Sequence, residues 1–367
     1  MKVGKMAWKN LASLDSVDLH DLNEYMSRPD ERVLELVGRR KDMDIVVYGA
    51  TGKWMMDITE MLLRALRETG TMRRKVHLVA RFSRESGVRQ RLAAYDGLYR
   101  IHRVDFLNLM MHDLTRINAD CSWVIYGIGY KFRTHETEEE YIRLCNLYGK
   151  VIPSLIFTYH KKSSDIVMIG SGNALPPSPI DAQAGDDSPL EPLKEQIYGE
   201  SIKNKEEILK FILEDDDSRS SRAVILRAMY MTNLIYGGLE KPMQAVLRDQ
   251  PVDLGEGGAF NIIGHRDASI YTILAVQAAS NPLTTLNLAG HTVELQSVAQ
   301  AAARSLDKTV KFTGTPKRLH LLADDSRLKK LFGGPVDSLL DLIAAQMYWI
   351  RNQGGSLKLD HKVGLPV

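Results

Sequence analysis

The chain has 367 residues, 26% of them charged and 44% apolar, with 48 Lys and Arg against 46 Asp and Glu for a net charge of +2. These values fit a globular protein of one large or two packed domains and exclude collagen-like, low-complexity and wholly disordered chains. So even a balance gives no global attraction to nucleic acid or to anionic lipid. The two cysteines, Cys121 and Cys145, lack metal-ligand spacing, and no His pair stands at helical spacing, so neither a disulfide scaffold nor a metal site is expected. The first 25 residues hold no signal-peptide core, and no apolar run approaches the ~18 residues of a membrane span. A cytoplasmic setting is the expectation.

In chain order, residues 1–42 are charged and helix-favouring. Val33, Leu34, Leu36 and Val37 form one apolar stripe closed by Gly38, which predicts a helical N-terminal extension. From residue 43 the period changes. Short β-branched runs predict strands at 45–48, 76–80, 99–104, 123–126, 166–169 and 223–227. Helical patterns lie between them at 57–66, 86–94, 108–117, 138–157 and 196–213. Strands alternating with helices predict βαβ units and a doubly wound, Rossmann-type parallel sheet over residues 43–235. The Pro-, Ser- and Gly-rich stretch 172–192 reads as a loop, and the acidic run 214–217 as a solvated helix end. Beyond residue 235 the alternation loosens. Helices are predicted at 241–248, 268–279, 293–305 and 335–353, and short strands near 259–263 and 285–288. Residues 236–367 then form a smaller substrate-binding part, interleaved with the sheet domain.

The turn Gly49-Ala50-Thr51-Gly52-Lys53 joins the first predicted strand to the first helix of the series. A glycine at the strand end permits the tight turn, and a second lets backbone approach a pyrophosphate seated on the helix N-terminus. The third glycine of the usual pattern is Met55, which predicts looser or shifted helix–strand packing. Met55, Met56 and Met61 otherwise suit a buried helix face. At the end of the second strand, where an acid would hold a ribose 2′-hydroxyl, stands Arg81, which leans the reading from NAD towards NADP. Asp105 after the third strand serves either as an adenine hydrogen-bond partner or as a helix N-cap. The cofactor-binding set is Gly49, Thr51, Gly52, Lys53, Arg81, Asp105 and Gly127.

The chain resembles the extended short-chain dehydrogenase/reductases over roughly residues 43–350. Besides the glycine turn, the resemblance rests on Gly170-Ser171-Gly172-Asn173, Tyr198-Gly199-Glu200-Ser201, Leu226-Arg227, Leu286-Asn287-Leu288-Ala289-Gly290, and Asp325-Ser326-Arg327 with Leu331-Phe332-Gly333. More narrowly it is similar to a subgroup of NAD(P)-dependent epimerases that share the N-terminal extension, the Gly52-Lys53 turn and a Lys131-Phe132 pair. The resemblance implies that Ser171 and Tyr198 handle the substrate oxygen, the phenol exchanging a proton with it while the nicotinamide exchanges hydride. It further implies substrate contacts from Asn173, His265 and Arg266, an ordering role for Asn146, and a homodimer formed through the helices at 138–157 and 196–213. Arg227 is read as structural.

One position departs. The resemblance calls for a Lys four residues after the Tyr, and that position is Ile202. Lys203 is rotated off the face, and Lys205 lies nearly two turns on, about 10 Å by helix rise. Lys131, just beyond the fourth strand, is the preferred substitute. The leading expectation is a NAD(P)-dependent oxidoreductase or epimerase acting on a small polar hydroxy or keto compound, a sugar derivative or hydroxy acid. The alternative is a non-catalytic nucleotide-binding sensor or scaffold on the same fold.

Overall fold

A computed structural model describes residues 19–40, 44–71, 74–83, 85–117, 122–130, 137–194, 196–214, 221–233, 237–255 and 257–353. Two helices lead in, α1 (Leu19–Met26) and α2 (Glu31–Arg39), the second running one residue past Gly38. The alternating part follows: β1 (Ile45–Tyr48), α3 (Lys53–Glu68), β2 (Val76–Ala80), α4 (Glu85–Arg91), β3 (Tyr99–Arg103), α5 (Met111–Thr115), β4 (Trp123–Tyr126), α6 (Glu138–Asn146), α7 (Ile152–His160), β5 (Asp165–Ser171), α8 (Ile197–Glu214) and β6 (Arg222–Ala228). The rest comprises β7 (Tyr230–Thr232), α9 (Glu240–Leu247), β8 (Val252–Asp253), β9 (Ala259–Gly264), α10 (His265–Leu274), β10 (Thr284–Leu288), β11 (His291–Glu294), α11 (Leu295–Leu306), β12 (Phe312–Thr313), α12 (Ser326–Phe332) and α13 (Leu339–Gln353). The acidic residues 215–217, read as a helix end, lie outside the described residues.

The strands form a seven-stranded parallel sheet in the order β10-β6-β5-β4-β1-β2-β3. This is the predicted doubly wound α/β architecture, and β10 completes it from the C-terminal side. Successive side chains of a strand face opposite layers. Ile45 and Val47 join α2, α3 and α10 in one core, while Val46 and Tyr48 join α7 and α8 in the other. Both faces are therefore covered, which is why these strands read as continuous apolar runs. A second sheet, β11-β9-β7, and the pair β12-β8 lie after β6 in the chain.

The predicted helix 138–157 is broken. Between α6 and α7 the residues Leu147–Val151 form a π-helical turn, in which the Ile152 N–H reaches back to the Leu147 carbonyl. Pro153 explains it, because a proline donates no amide hydrogen to the carbonyl one turn back, and the ladder slips by a residue.

Helix α3 is buried on nearly every side, and its two buried acids are paired. Asp57 and Glu60 both meet Arg91, at 2.5 and 2.8 Å, and Glu60 also meets Arg64 at 2.9 Å. Arg64 continues to Glu24 of α1 at 2.6 Å, and His265 of α10 meets Asp57 at 2.9 Å. α1 and α10 thus both make polar contacts with the helix that follows the glycine turn.

Candidate active site

In an open parallel sheet, ligands bind beyond the carboxyl ends of the strands where the strand order reverses. Here that point lies between β1 and β4, and Gly49 and Gly127 follow those two strands. Gly49 has φ +81°, its N–H donates to the Val79 carbonyl at 2.9 Å, and a Cβ there would lie 3.1 Å from the Gly127 carbonyl oxygen. Gly52 donates to Gly49 at 2.8 Å and caps α3 with no side-chain hydrogen bond. No side chain caps the first turn of α3, the end of a helix at which anions bind. Thr51 is half-buried within the turn. Lys53, the first helical residue, is also half-buried, and burial brings its pKa down to about 8 against the opposing pull of Asp57 and Glu240.

Of the two expected arrangements, looser or shifted, Met55 is not in a loose one. It is buried, and a Cβ on Gly127 would fall 2.1 Å from its Sδ. The glycine missing from the helix has its counterpart at the end of β4, where the absent side chain makes the slot that the Met55 thioether fills.

At the end of β2, Arg81 is exposed while Phe82, in the left-handed region at φ +51°, turns back into the core. The nearest acid, Glu85, is held by Arg89 at 2.8 Å and by Arg103 at 2.5 Å. Asp105 is exposed, and its carboxylate accepts from the Leu107 N–H at 3.2 Å and from Asn108 Nδ2 at 2.7 Å, so it does act as a cap.

Ser171 ends β5, and its Oγ accepts from the Asn173 backbone N–H and from Asn173 Nδ2, at 3.3 and 3.0 Å. Gly199 lets the first turn of α8 press against this loop: a Cβ there would lie 2.6 Å from the Asn173 carbonyl oxygen. Tyr198 is brought to Ser171 as a result. Burial raises the Tyr198 pKa above its ordinary 10.0, a shift that the hydrogen bond from Ser171 only moderates. The phenol therefore keeps its proton at neutral pH.

Ile202 is buried. Lys131 lies outside the described residues. Lys205 is fully enclosed: its Nζ donates to the Ile169 carbonyl at 2.8 Å and to the Ile128 carbonyl at 3.4 Å, with the Tyr126 ring centroid 5.6 Å away. Burial lowers its pKa to about 8. The ammonium bridges the ends of β4 and β5. The available signal was the spacing of seven from Tyr198, which returns to the same face of a helix of about 3.6 residues per turn. Helical side chains also lean towards the N-terminus, so Nζ ends nearer the sheet edge than its Cα.

The remaining candidates are engaged elsewhere. His265 is buried against Asp57. Arg266 donates to the Arg28 carbonyl at 3.1 Å and lies over the Tyr25 ring, facing the N-terminal helices. Arg227 forms a buried pair with Glu206 at 2.9 Å and donates to the Asp186 carbonyl, pinning the loop after β5. Asn146 is exposed at the end of α6. Two cavities flank residues 180–182 of that loop. One, of about 550 Å³, has Glu294, Lys317, Arg318 and His320 in its lining. The other, of about 620 Å³, has Asn261, Thr292, Asp324, Asp325 and Lys329. Among the described residues no group of three or more His, Cys, Asp or Glu could hold a metal ion, and no helix is long and apolar enough to cross a membrane.

No protein-family model and no curated protein matches the sequence. Solved structures do. The UDP-glucuronic acid 4-epimerase from Bacillus cereus in complex with NAD matches with a TM-score of 0.64 at 16% identity, over 85% of this chain and 99% of that one. A dTDP-glucose 4,6-dehydratase from Bacillus anthracis in complex with NAD matches with a TM-score of 0.64 at 12% identity, over 84% and 96%. The Bordetella bronchiseptica enzyme WbmG in complex with NAD and UDP matches with a TM-score of 0.61 at 15% identity, over 86% and 96%. The chain shares the fold of these structures. At these identities the likeness is one of architecture, and the chain spans nearly the whole length of each neighbour.

Proposed function

We propose that this chain is a NAD(P)-dependent oxidoreductase or epimerase acting on a small polar hydroxy or keto substrate of the sugar-derivative class. The observation that carries the reading is Ser171 at the end of β5 with the first turn of α8, which carries Tyr198, pressed against the loop that follows it, on the sheet edge that also holds the glycine turn. The pair suits one substrate oxygen, the serine orienting it and the phenol giving or taking its proton. When bound, the nicotinamide supplies or takes up the hydride.

The residues present fit such a cofactor. The α3 amides, which have no side-chain cap, and the half-buried Lys53 suit a pyrophosphate, with Gly49, Thr51, Gly52 and Gly127 giving it access. Arg81 favours NADP, because Glu85 is already held by two arginines and offers nothing to a ribose 2′-hydroxyl. NAD, present in the neighbours, remains the second choice. Lys205 supplies positive charge beneath the catalytic edge in this reading; Lys131 is the other candidate. We assign substrate binding to the part after residue 235 together with the loop after β5. Asn173 reaches the substrate from that loop, and the polar lining of the two cavities suits hydroxyl-rich compounds. His265 and Arg266 contribute from behind, by fixing α10. We also propose a cytoplasmic homodimer, joined through the outer faces of α6, its π-helical turn and α8.

The test is turnover. Nucleotide sugars, free sugars and hydroxy acids are presented with NADP and NAD to the wild-type chain and to Tyr198→Phe. Product formation that the substitution abolishes supports the reading. A second reading, nucleotide binding without turnover, is favoured by the isoleucine at position 202 and by the engagement of Lys205 with two carbonyls. Tight dinucleotide binding with no turnover across the panel would establish that one instead.

A further inference from the structure

We propose that Tyr148, presented by the π-helical turn between α6 and α7, is the wall of the adenosine end of the cofactor site and stacks on the purine ring. This rests on the dinucleotide reading above. If the nicotinamide end lies at Ser171 and Tyr198 beyond β5, the strand order puts the other end of the molecule over β2 and β3, on the far side of the switch point. Arg81 and Asp105 follow those two strands.

Tyr148 packs against the core cluster that includes Val104 and Phe106, which follow β3. Its ring centroid is 5.6 Å from that of Tyr130, which follows β4, and the side chain is half-buried, leaving part of the ring open. Arg81 and Asp105 both act electrostatically on its phenol, in opposite directions. The π-helical turn gives the placement a cause. Gly149 packs so closely on α8 that a Cβ there would lie 2.7 Å from the Ser201 carbonyl oxygen, so the turn is pressed against α8 at residue 149. Such single π-helical turns concentrate at functional sites. A flat, rigid, half-buried ring suits a purine nucleotide, since an aromatic face stacks on a base irrespective of its edge groups.

The experiment is calorimetric titration of the full chain with NADP, ADP-ribose and nicotinamide mononucleotide, for the wild type, Tyr148→Phe, Tyr148→Leu and Tyr148→Ala. Thermal unfolding without ligand accompanies each. The leucine variant keeps apolar bulk against Tyr130 and guards against a fold defect in the alanine variant. The expected result is an affinity loss of about 10-fold or more for NADP and ADP-ribose in the leucine and alanine variants. Affinity is retained in Tyr148→Phe, and nicotinamide mononucleotide binding is unchanged throughout. Wild-type affinity for ADP-ribose in a folded Tyr148→Leu would overturn the inference and leave the cofactor reading intact. Wild-type chain that binds neither NADP nor ADP-ribose would overturn both.

Discussion

Tyr198 and Lys205 stand on one face of α8 and are perturbed by the same physics in opposite senses. Burial disfavours the charged form of each, holding the phenol protonated and pushing the ammonium towards neutrality. A phenol that titrates above 10.0 is a proton donor throughout the neutral range. Reduction of a carbonyl is therefore predicted to be flat across neutral pH and to fall only in alkaline solution, while the reverse reaction climbs with pH. Tyr198→Phe is expected to lower kcat by ~100–10,000-fold in both directions, which steady-state rates would check. For Lys205 the sign follows from linkage. Below its folded pKa of about 8 the lysine is charged in both states, and the cost of burying that charge is fully present. Between that value and the ordinary 10.5 the unfolded chain binds more protons, so stability contributed at this position rises with pH. The stability gap between wild type and Lys205→Met should shift in favour of wild type by about 3 kcal/mol across that window. Denaturation at a series of pH values measures it, and a constant gap would contradict it. Ser171 and Tyr198 were singled out in the sequence by the motifs around them, and as catalytic residues they remain proposals. Sequence reading set Lys205 aside because rise along a helix ignores the length and lean of a lysine side chain.

At the scale of elements, the glycine turn and the end of β4 behave as one packed unit. Met55 occupies the slot that Gly127 leaves, so a methyl group at 127 has no room unless Met55 shrinks. Gly127→Ala alone is predicted to lower Tm and to weaken dinucleotide binding, with a cost of ~1–3 kcal/mol typical of overpacking. Met55→Ala in the same chain should restore much of both, and failure of that rescue would show that the two positions are independent. The strands were legible because residues such as Ile45, Val46 and Val47 are buried on both faces and carry no polar interruption. The helices were less so. The break between α6 and α7 depends on Pro153 and on the close approach of Gly149 to Ser201, a contact between residues far apart in sequence. The burial of Asp57 and Glu60 was likewise invisible, because a sequence does not show that Arg91 lies opposite them.

For the whole molecule, charge and apolar surface bear on different questions. Polar contacts run from Glu24 of α1 through Arg64, Glu60, Arg91 and Asp57 to His265, and so link α1 and α10 across α3. On the outer face, Ile142 of α6, Val151 of the π-helical turn and Phe211 of α8 are 41, 52 and 69% exposed. Such side chains are costly to leave in water, and they sit on the helices through which we propose that two copies pair. Phe211→Glu is predicted to shift the chain from dimer to monomer in light scattering without loss of Tm beyond that due to dissociation. A monomeric wild type would contradict the proposed pairing. The fold class was legible from the strand–helix alternation alone; the short strand predicted near 285–288 was legible too, but not its place as the seventh strand of the main sheet, which depends on its pairing with β6. The central claim is that the glycine turn holds a dinucleotide. Its most direct test is calorimetric titration of the wild-type chain with NADP and NAD, oxidised and reduced. The account predicts saturable binding of the dinucleotides at one site per chain, with NADP preferred and the preference lost in Arg81→Ala. Absence of heat and of thermal stabilisation with all four forms would contradict it.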